Sequence, residues 1–364
     1  MKLPVRVLIV DDSAVYRDFL RHLLGSDKDI EIVAAVRDGQ TALEACAALR
    51  PDVVTMDVHM PDMDGFEVTR RIMETVPTPI VVVSAVGDSQ EVGMSFRAVE
   101  SGALAMVPKP RGGSEEQNAG ARELVQTVKL MAEVKVVRRW RRRPSGEAPA
   151  AGPDRWLAEV GAGQTPHRGA PEAVLIGAST GGPLPIRAIL SALPRSFPLP
   201  VLIVQHIAAG FVAGFVQWLA GTAALPVRLA ADGEPISAGT VYVAPDGVHM
   251  GVGNGRRIRL ERGEPEHGLR PSVSHLFRSA ARVYGSRAIG VLLSGMGVDG
   301  AAELKALRDG GALTFAQDQE TCVVFGMPGE AVRLDAATYA MSPEAIAEAI
   351  VRTIPAGNGR QEML

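Results

Sequence analysis

The chain has 364 residues, a formal net charge of −3, 46% hydrophobic residues and 22% charged ones, the composition of an ordinary globular protein with length for two or three separate cores. The slight acidity removes the electrostatic case for nucleic acid or an anionic membrane as the main partner. Two cysteines lie far apart without metal-ligand spacing, and the first apolar run, Val5 to Val10, is too short for a membrane span and lacks a signal-peptide layout, so the expected compartment is the reducing cytoplasm, with no membrane insertion.

From the N-terminus, apolar runs at Val5–Val10, Ile30–Val36, Val53–Met56, Ile80–Val83 and Ala105–Val107 alternate with amphipathic stretches at Ala14–Leu24, Thr41–Leu49, Gly65–Val76, Glu91–Ser101 and Ala121–Val137. Five strands alternating with five helices predict an α/β domain with a five-stranded, doubly wound parallel sheet. Ligands of such sheets gather at the carboxyl ends of the strands. Asp11 and Asp12 close the first run, Asp57 the third, Ser84 the fourth and Lys109 the fifth. Taken singly, each reads as a helix cap or a loop residue. Three carboxylates converging on one point repel unless a hard cation lies among them, and Mg²⁺ is the usual one. A lysine ammonium and a serine hydroxyl facing them suit a phosphoryl group.

The segments Val7-Leu-Ile-Val-Asp-Asp-Ser13, Asp57-Val-His-Met-Pro-Asp-Met-Asp-Gly65, Ser84-Ala85 and Lys109-Pro110 resemble the receiver domain of bacterial two-component response regulators. The resemblance covers about residues 3–140, within an expected domain of 1–140. It implies that Asp57 accepts a phosphoryl group from a histidine kinase. It further implies that Asp11, Asp12 and Asp57, with the backbone carbonyl of His59, hold Mg²⁺, and that Ser84 and Lys109 bind the phosphoryl oxygens. Met106 stands where many receivers carry a tyrosine or phenylalanine, and His59 occupies a position that often tunes dephosphorylation.

Residues 141–171 are rich in Pro, Gly and Ala without sustained period and read as a flexible linker. The preceding Arg138-Arg-Trp-Arg-Arg-Arg143 reads as the solvated end of a helix, with too little aromatic interleaving for a nucleic-acid surface. A second α/β domain is expected over 172–354, followed by a disordered tail at 355–364. Its parallel strands are read at Ala173–Ile176, Val201–Val204, Ala288–Leu293 and Leu313–Ala316, with a strand-rich insert at about Val227 to Leu260. Helices are read at Leu184–Leu193, Ala213–Ala220, Val273–Tyr284, Ala301–Asp309 and Pro343–Val351.

Ser179 follows the first of these strands inside Gly177-Ala-Ser-Thr-Gly181, which fits the nucleophile-elbow pattern and equally a phosphate-cradling turn. His206 follows the second strand and Asp299 the third. Alone, His206 reads as structural and Asp299 as a helix cap. At three strand ends of one sheet they have the composition of a nucleophilic triad, in which histidine takes the serine proton and the carboxylate holds the imidazole. The order Ser, His, Asp differs from that of the α/β-hydrolases. His249, His267 and His275 lack a carboxylate or cysteine at metal spacing and read as structural or surface residues.

Gly177-Ala-Ser-Thr-Gly-Gly182, Gln205-His206, Val241-Tyr-Val-Ala-Pro245, Pro271-Ser-Val273, Ser294-Gly-Met-Gly-Val-Asp-Gly300, Ala316-Gln-Asp318 and Gly326-Met-Pro328 resemble the catalytic domain of the chemotaxis protein-glutamate methylesterases. The resemblance implies a hydrolase domain with nucleophile Ser179, general base His206 and orienting Asp299. It also implies the Met296 backbone N–H as an oxyanion donor, with Thr180 in support. No cofactor is expected for the hydrolysis. The implied substrate is the methylated cytoplasmic helix of a chemoreceptor, with deamidation of receptor glutamines as a second reaction. The implied phosphodonor is a chemotaxis-type histidine kinase, and the domain order implies a receiver that restrains the esterase until Asp57 is phosphorylated. Ser274 departs from the acidic residue that relatives often carry, away from the triad motifs. A non-enzymatic output domain and a serine esterase or amidase outside chemotaxis are the alternatives. The first would show a helix-turn-helix, a basic face or an incomplete triad, and none is seen.

Overall fold

The computed structural model describes residues 3–61, 63–84, 96–110, 115–134 and 170–354. The linker, apart from residues 170 and 171, and the tail lie outside the described residues, as do Arg138–Arg143 and residues 91–95 of the fourth expected helix. The chain forms two compact units, each with its own sheet.

In the first unit, β1 (Val5–Val10), β2 (Ile30–Val36), β3 (Val53–Met56), β4 (Ile80–Ser84) and β5 (Ala105–Pro108) pair in the order β2-β1-β3-β4-β5, with every ladder parallel. Strands β3 and β4 are buried along their whole length, because both faces of a parallel sheet are covered and apolar residues need not alternate. Leu8, Val54, Ile80 and Val82 have no exposed surface, and each such side chain contributes about 1.5–3 kcal/mol through burial. Helices α1 (Ala14–Gly25), α2 (Gly39–Leu49) and α3 (Gly65–Thr75) start where Ser13, Asp38 and Asp64 accept hydrogen bonds from the N–H groups of Tyr16, Thr41 and Glu67. Residues 96–100 are helical. Helix α4 spans Glu115–Met131, six residues earlier in its start than the expected Ala121. Met106, half-buried, packs against the sheet core.

The second unit is wider than the sequence implies. Its sheet has seven strands, β6 (Ala173–Ala178), β7 (Val201–Gln205), β8 (Val227–Leu229), β9 (Val241–Val243), β12 (Ala288–Leu292), β13 (Leu313–Gln317) and β14 (Tyr339–Met341), in the order β14-β13-β12-β6-β7-β9-β8. Every pairing in it is parallel. The stretch read as one insert therefore splits. Strands β8 and β9 extend the main sheet, and only β10 (His249–Gly253) and β11 (Arg257–Glu261) stand apart as an antiparallel hairpin. Three-residue strands are too short to show a period. Helices α5 (Pro183–Ala192), α6 (Val212–Ala220), α7 (Val273–Tyr284), α8 (Ala301–Asp309), α9 (Met327–Arg333) and α10 (Pro343–Thr353) complete the unit; the seven residues of α9 were not legible as a helix. Among the described residues no helix is long and apolar enough to cross a membrane.

Candidate active site

Strand order decides which loops meet. In the second unit the chain leaves β6 toward β7 on one side and later returns to β12 on the other, so the topological switch point lies at the carboxyl end of β6. Ser179, His206 and Asp299 follow β6, β7 and β12, three adjacent strands. The strand ends are tied together. Ser179 N–H donates to Ser294 O at 3.0 Å, and His206 N–H donates to Ala178 O at 2.9 Å. Gln205 clamps the pair further, donating from Nε2 to the carbonyls of both Ser179 and His206 at 2.8 Å each.

Asp299 is the most heavily held of the three. Its carboxylate accepts from Ser272 Oγ at 2.9 Å, Val273 N–H at 2.7 Å and Ser274 N–H at 3.0 Å. Ser272 is the N-cap of α7, so the carboxylate sits where a helix offers free N–H donors and positive dipole charge. Ser274 also accepts from Gly300 N–H at 2.9 Å. The expectation that Ser274 lies away from the triad motifs is therefore corrected: it braces Asp299 directly, and only chain folding brings residues 272–274 and 299 together.

His206 Nε2 stands 3.0 Å from Asp299 Oδ2, yet neither of its buried ring nitrogens completes a hydrogen bond. The distance is that of a hydrogen bond but the approach is oblique, a looseness common in resting sites. This ring orientation turns Nε2 toward the carboxylate and leaves Nδ1 without a partner. Burial opposes ionisation of Asp299, but His206 and the Ser274 donors outweigh it and hold the carboxyl below the usual carboxylate range. A carboxyl depressed in this way adds stability above its unfolded value, near 3.9, and loses it as pH falls through the folded value. Asp299→Asn is therefore expected to cost roughly 1–3 kcal/mol at neutral pH, the cost of leaving buried donors mismatched. The gap should begin to narrow below about pH 4, where the unfolded chain takes up a proton that native Asp299 still excludes, and close only as pH falls through the folded value. Denaturant melts of both chains at pH 7, 5 and 3.5 check this, and a gap independent of pH would contradict it.

The loop carrying Met296 lies directly on Ser179. A Cβ on Gly295 would come within 2.7 Å of Ser179 Cβ, and Gly297 has φ of +82°, so the first glycine permits close approach and the second the turn. Gly295 O accepts from the N–H groups of Gly326 and Met327 at 3.1 and 2.9 Å, fixing the loop. Met296 N–H has no acceptor among the described residues. Thr180 adjoins Ser179, and its carbonyl accepts from Ser294 Oγ at 2.8 Å. Gln205, Ser272 and Ser294 are the residues whose contribution the sequence did not disclose. Ser272 stood only inside the motif Pro271-Ser-Val273; in the fold it caps α7 and partners a residue 27 positions away.

Of the other histidines, His249 bonds to Glu264 O at 2.9 Å and accepts from Ser272 N–H at 3.2 Å. His275 stacks on it with ring centroids 4.8 Å apart and lies 3.2 Å from Glu266 Oε1. The carboxylate that sequence spacing denied His275 is thus supplied in space. His267 adopts a positive φ of 52°.

In the first unit, Asp57 N–H donates to Val10 O at 2.9 Å, which brings the ends of β3 and β1 together. The carboxylates of Asp11, Asp12 and Asp57 offer oxygens that all lie within 4.8 Å of one another, a hard-oxygen set that fits Mg²⁺. Lys109 Nζ bridges Asp11 at 2.8 Å and Asp57 at 2.7 Å. Burial, with Asp11 adding to it, pushes the Asp57 carboxyl above its ordinary value although Lys109 pulls the other way. Desolvation works against charge on Lys109, but its bonds to Asp11 and Asp57 carry its pKa above the usual one. Ser84 is fully buried, and its carbonyl accepts from Lys109 N–H at 2.7 Å. His59 N–H reaches Asp57 Oδ1 at 3.3 Å. Tyr16 was not anticipated: the Lys109 ammonium lies 4.8 Å over its ring, and burial together with Asp11 and Asp57 pushes its phenol up.

Comparison with known proteins agrees with this division. The CheB methylesterase family model matches residues 174–350, and the response regulator receiver domain model matches residues 7–118. A protein-glutamate methylesterase/protein-glutamine glutaminase of Syntrophus aciditrophicus is 52% identical, over 96% of this chain and 98% of its own. One from Geobacter metallireducens is 53% identical, over 95% and 98%. Among solved structures, the CheB methylesterase catalytic domain of Thermotoga maritima is 36% identical and covers 51% of this chain and 100% of its own, with a TM-score of 0.49.

Proposed function

The chain belongs to the family of receiver-linked CheB methylesterases, and from that membership we propose that it hydrolyses glutamate γ-methyl esters on the cytoplasmic signalling helices of chemoreceptors. It also deamidates selected receptor glutamines, and phosphorylation of the receiver raises both activities, which serves sensory adaptation. The observation that carries the reading is the approach of His206 to Asp299 at 3.0 Å, beside Ser179, in a chain that a methylesterase relative matches over 96% of its length.

In the reaction, Ser179 Oγ attacks the γ-carbonyl carbon while His206 Nδ1 takes the hydroxyl proton. Asp299 stabilises the resulting imidazolium, and its three donors keep it in place. The oxyanion faces the Met296 N–H, with Thr180 supporting the turn. The C–O bond then breaks, methanol leaves with the proton from His206, and the acyl-enzyme is hydrolysed to glutamate. In deamidation the C–N bond breaks instead and ammonia leaves.

Control resides in the first unit. Asp57 receives the phosphoryl group from a chemotaxis-type histidine kinase. Asp11, Asp12 and Asp57, with the His59 carbonyl, would hold Mg²⁺, which offsets negative charge around the phosphoryl group. Ser84 and Lys109 bind the phosphoryl oxygens. The workplace this assigns is the cytoplasm, where those receptor helices lie. The test is methanol release from methylated receptor by the full chain, with and without acetyl phosphate and Mg²⁺. Release that rises with the phosphodonor supports the reading; a chain that cleaves small esters but releases no receptor methanol refutes it.

A further inference from the structure

We propose that the groove between α7 and the β10–β11 hairpin docks carboxylates of the receptor helix that carries the scissile ester. This rests on the substrate assigned above and names a recognition surface for it.

The groove has a volume of about 480 Å³. Two periodicities converge on it. From α7, His275, Arg278 and Arg282 face it at helical spacing, and from β11, Arg257, Arg259 and Glu261 face it at strand spacing. Four guanidinium groups and one carboxylate therefore line one concave surface of a chain whose net charge is −3. Arg278 is paired with Glu266 at 2.5 Å and Glu303 at 3.1 Å, and Arg257 donates to Gly233 O at 2.6 Å. Arg259 and Arg282 are exposed, and neither has a carboxylate within ion-pair distance among the described residues. Planar guanidinium forks favour carboxylate and phosphate oxygens.

Position selects the carboxylate source. The first N–H groups of α7 hold Asp299, and the groove starts at His275, the next residue. At 1.5 Å of rise per residue, His275 to Arg282 spans about 10 Å, or two helical turns. On a substrate helix, side chains one turn from the ester lie about 5.4 Å from it along the axis, and the groove, which begins one residue beyond the donors to Asp299, would receive acidic ones among them. Arg259 and Arg282 then steer and register the helix without touching the reacting atoms.

The test uses the full chain carrying Arg259→Glu and Arg282→Glu, two exposed positions outside the catalytic machinery. The readouts are methanol release from methylated receptor and hydrolysis of p-nitrophenyl acetate. At low salt the receptor KM is expected to rise about tenfold or more in the variant, with kcat and small-ester hydrolysis unchanged. The native KM should rise with salt while the variant's stays flat. A variant KM within about twofold of native at low salt overturns the proposal. If the native chain releases no receptor methanol, the functional reading falls by itself, and the groove is judged by fluorescence titration with poly-glutamate. Native binding that the variant loses at least tenfold upholds it. Equal binding, or preference of the native groove for inorganic polyphosphate or oligo-dT, overturns it.

Discussion

Replacing Ser179 with alanine is expected to lower methanol release from methylated receptor by roughly 10⁴-fold or more, the loss typical when the nucleophile of a cooperating triad is removed. The fold should survive, because Ser179 is anchored through its backbone. Its N–H bonds to Ser294 O, and its carbonyl accepts from Gly182 N–H and Gln205 Nε2 at 2.8 Å each. Neither ring nitrogen of His206 bonds to the hydroxyl in the resting arrangement, so truncation at Cβ breaks no structural contact of the imidazole. Ammonia release from receptor glutamine should fall in parallel, as the proposed shared acyl-enzyme requires. Methanol and ammonia assays on the same preparation, with circular dichroism to confirm folding, make the comparison. A folded variant within tenfold of native on either substrate would remove Ser179 from the mechanism.

Asp57→Asn should abolish stimulation by acetyl phosphate, leaving activity within about twofold of basal, because the proposed switch acts by adding phosphoryl charge at this one carboxylate. The carboxylate oxygen forms the bond to phosphorus as the donor's leaving group departs, and an amide cannot do this. Lys109 keeps its 2.8 Å contact with Asp11 when its partner at Asp57 is lost, so the receiver should remain folded. Catalysis in the absence of phosphodonor should be unaffected, as Asp57 and Ser179 belong to separate units. Loss of phosphoryl incorporation with retained basal methanol release would satisfy the prediction. Full stimulation of the variant would move the phosphorylation site elsewhere.

Much of both sites was legible before folding was considered. Asp11, Asp57, Ser179, His206 and Asp299 each follow an apolar run, and the run is readable because parallel strands are buried on both faces. What could not be read was the support around them. Asp299 looked like a possible helix cap; in the fold it is capped by another helix, through Ser272, Val273 and Ser274. Ser274 consequently seemed remote when it is in contact. Gln205 was visible only as the neighbour of a histidine, although its amide joins the carbonyls of Ser179 and His206. The short strands β8, β9 and β14, three residues each, carry too few side chains for alternation to appear.

The sequence by itself determined the α/β class and the polar residue at each strand end, because burial imposes a local pattern that a single segment must satisfy. Tertiary structure alone decided that β6 lies between β7 and β12, and so that Ser179, His206 and Asp299 follow three adjacent strands. It alone turned His206 Nε2 toward Asp299 and set the arginines of α7 beside those of β11. Strand order and loop meeting are non-local: they depend on which surfaces close over one another, and no periodicity within a segment encodes its neighbour.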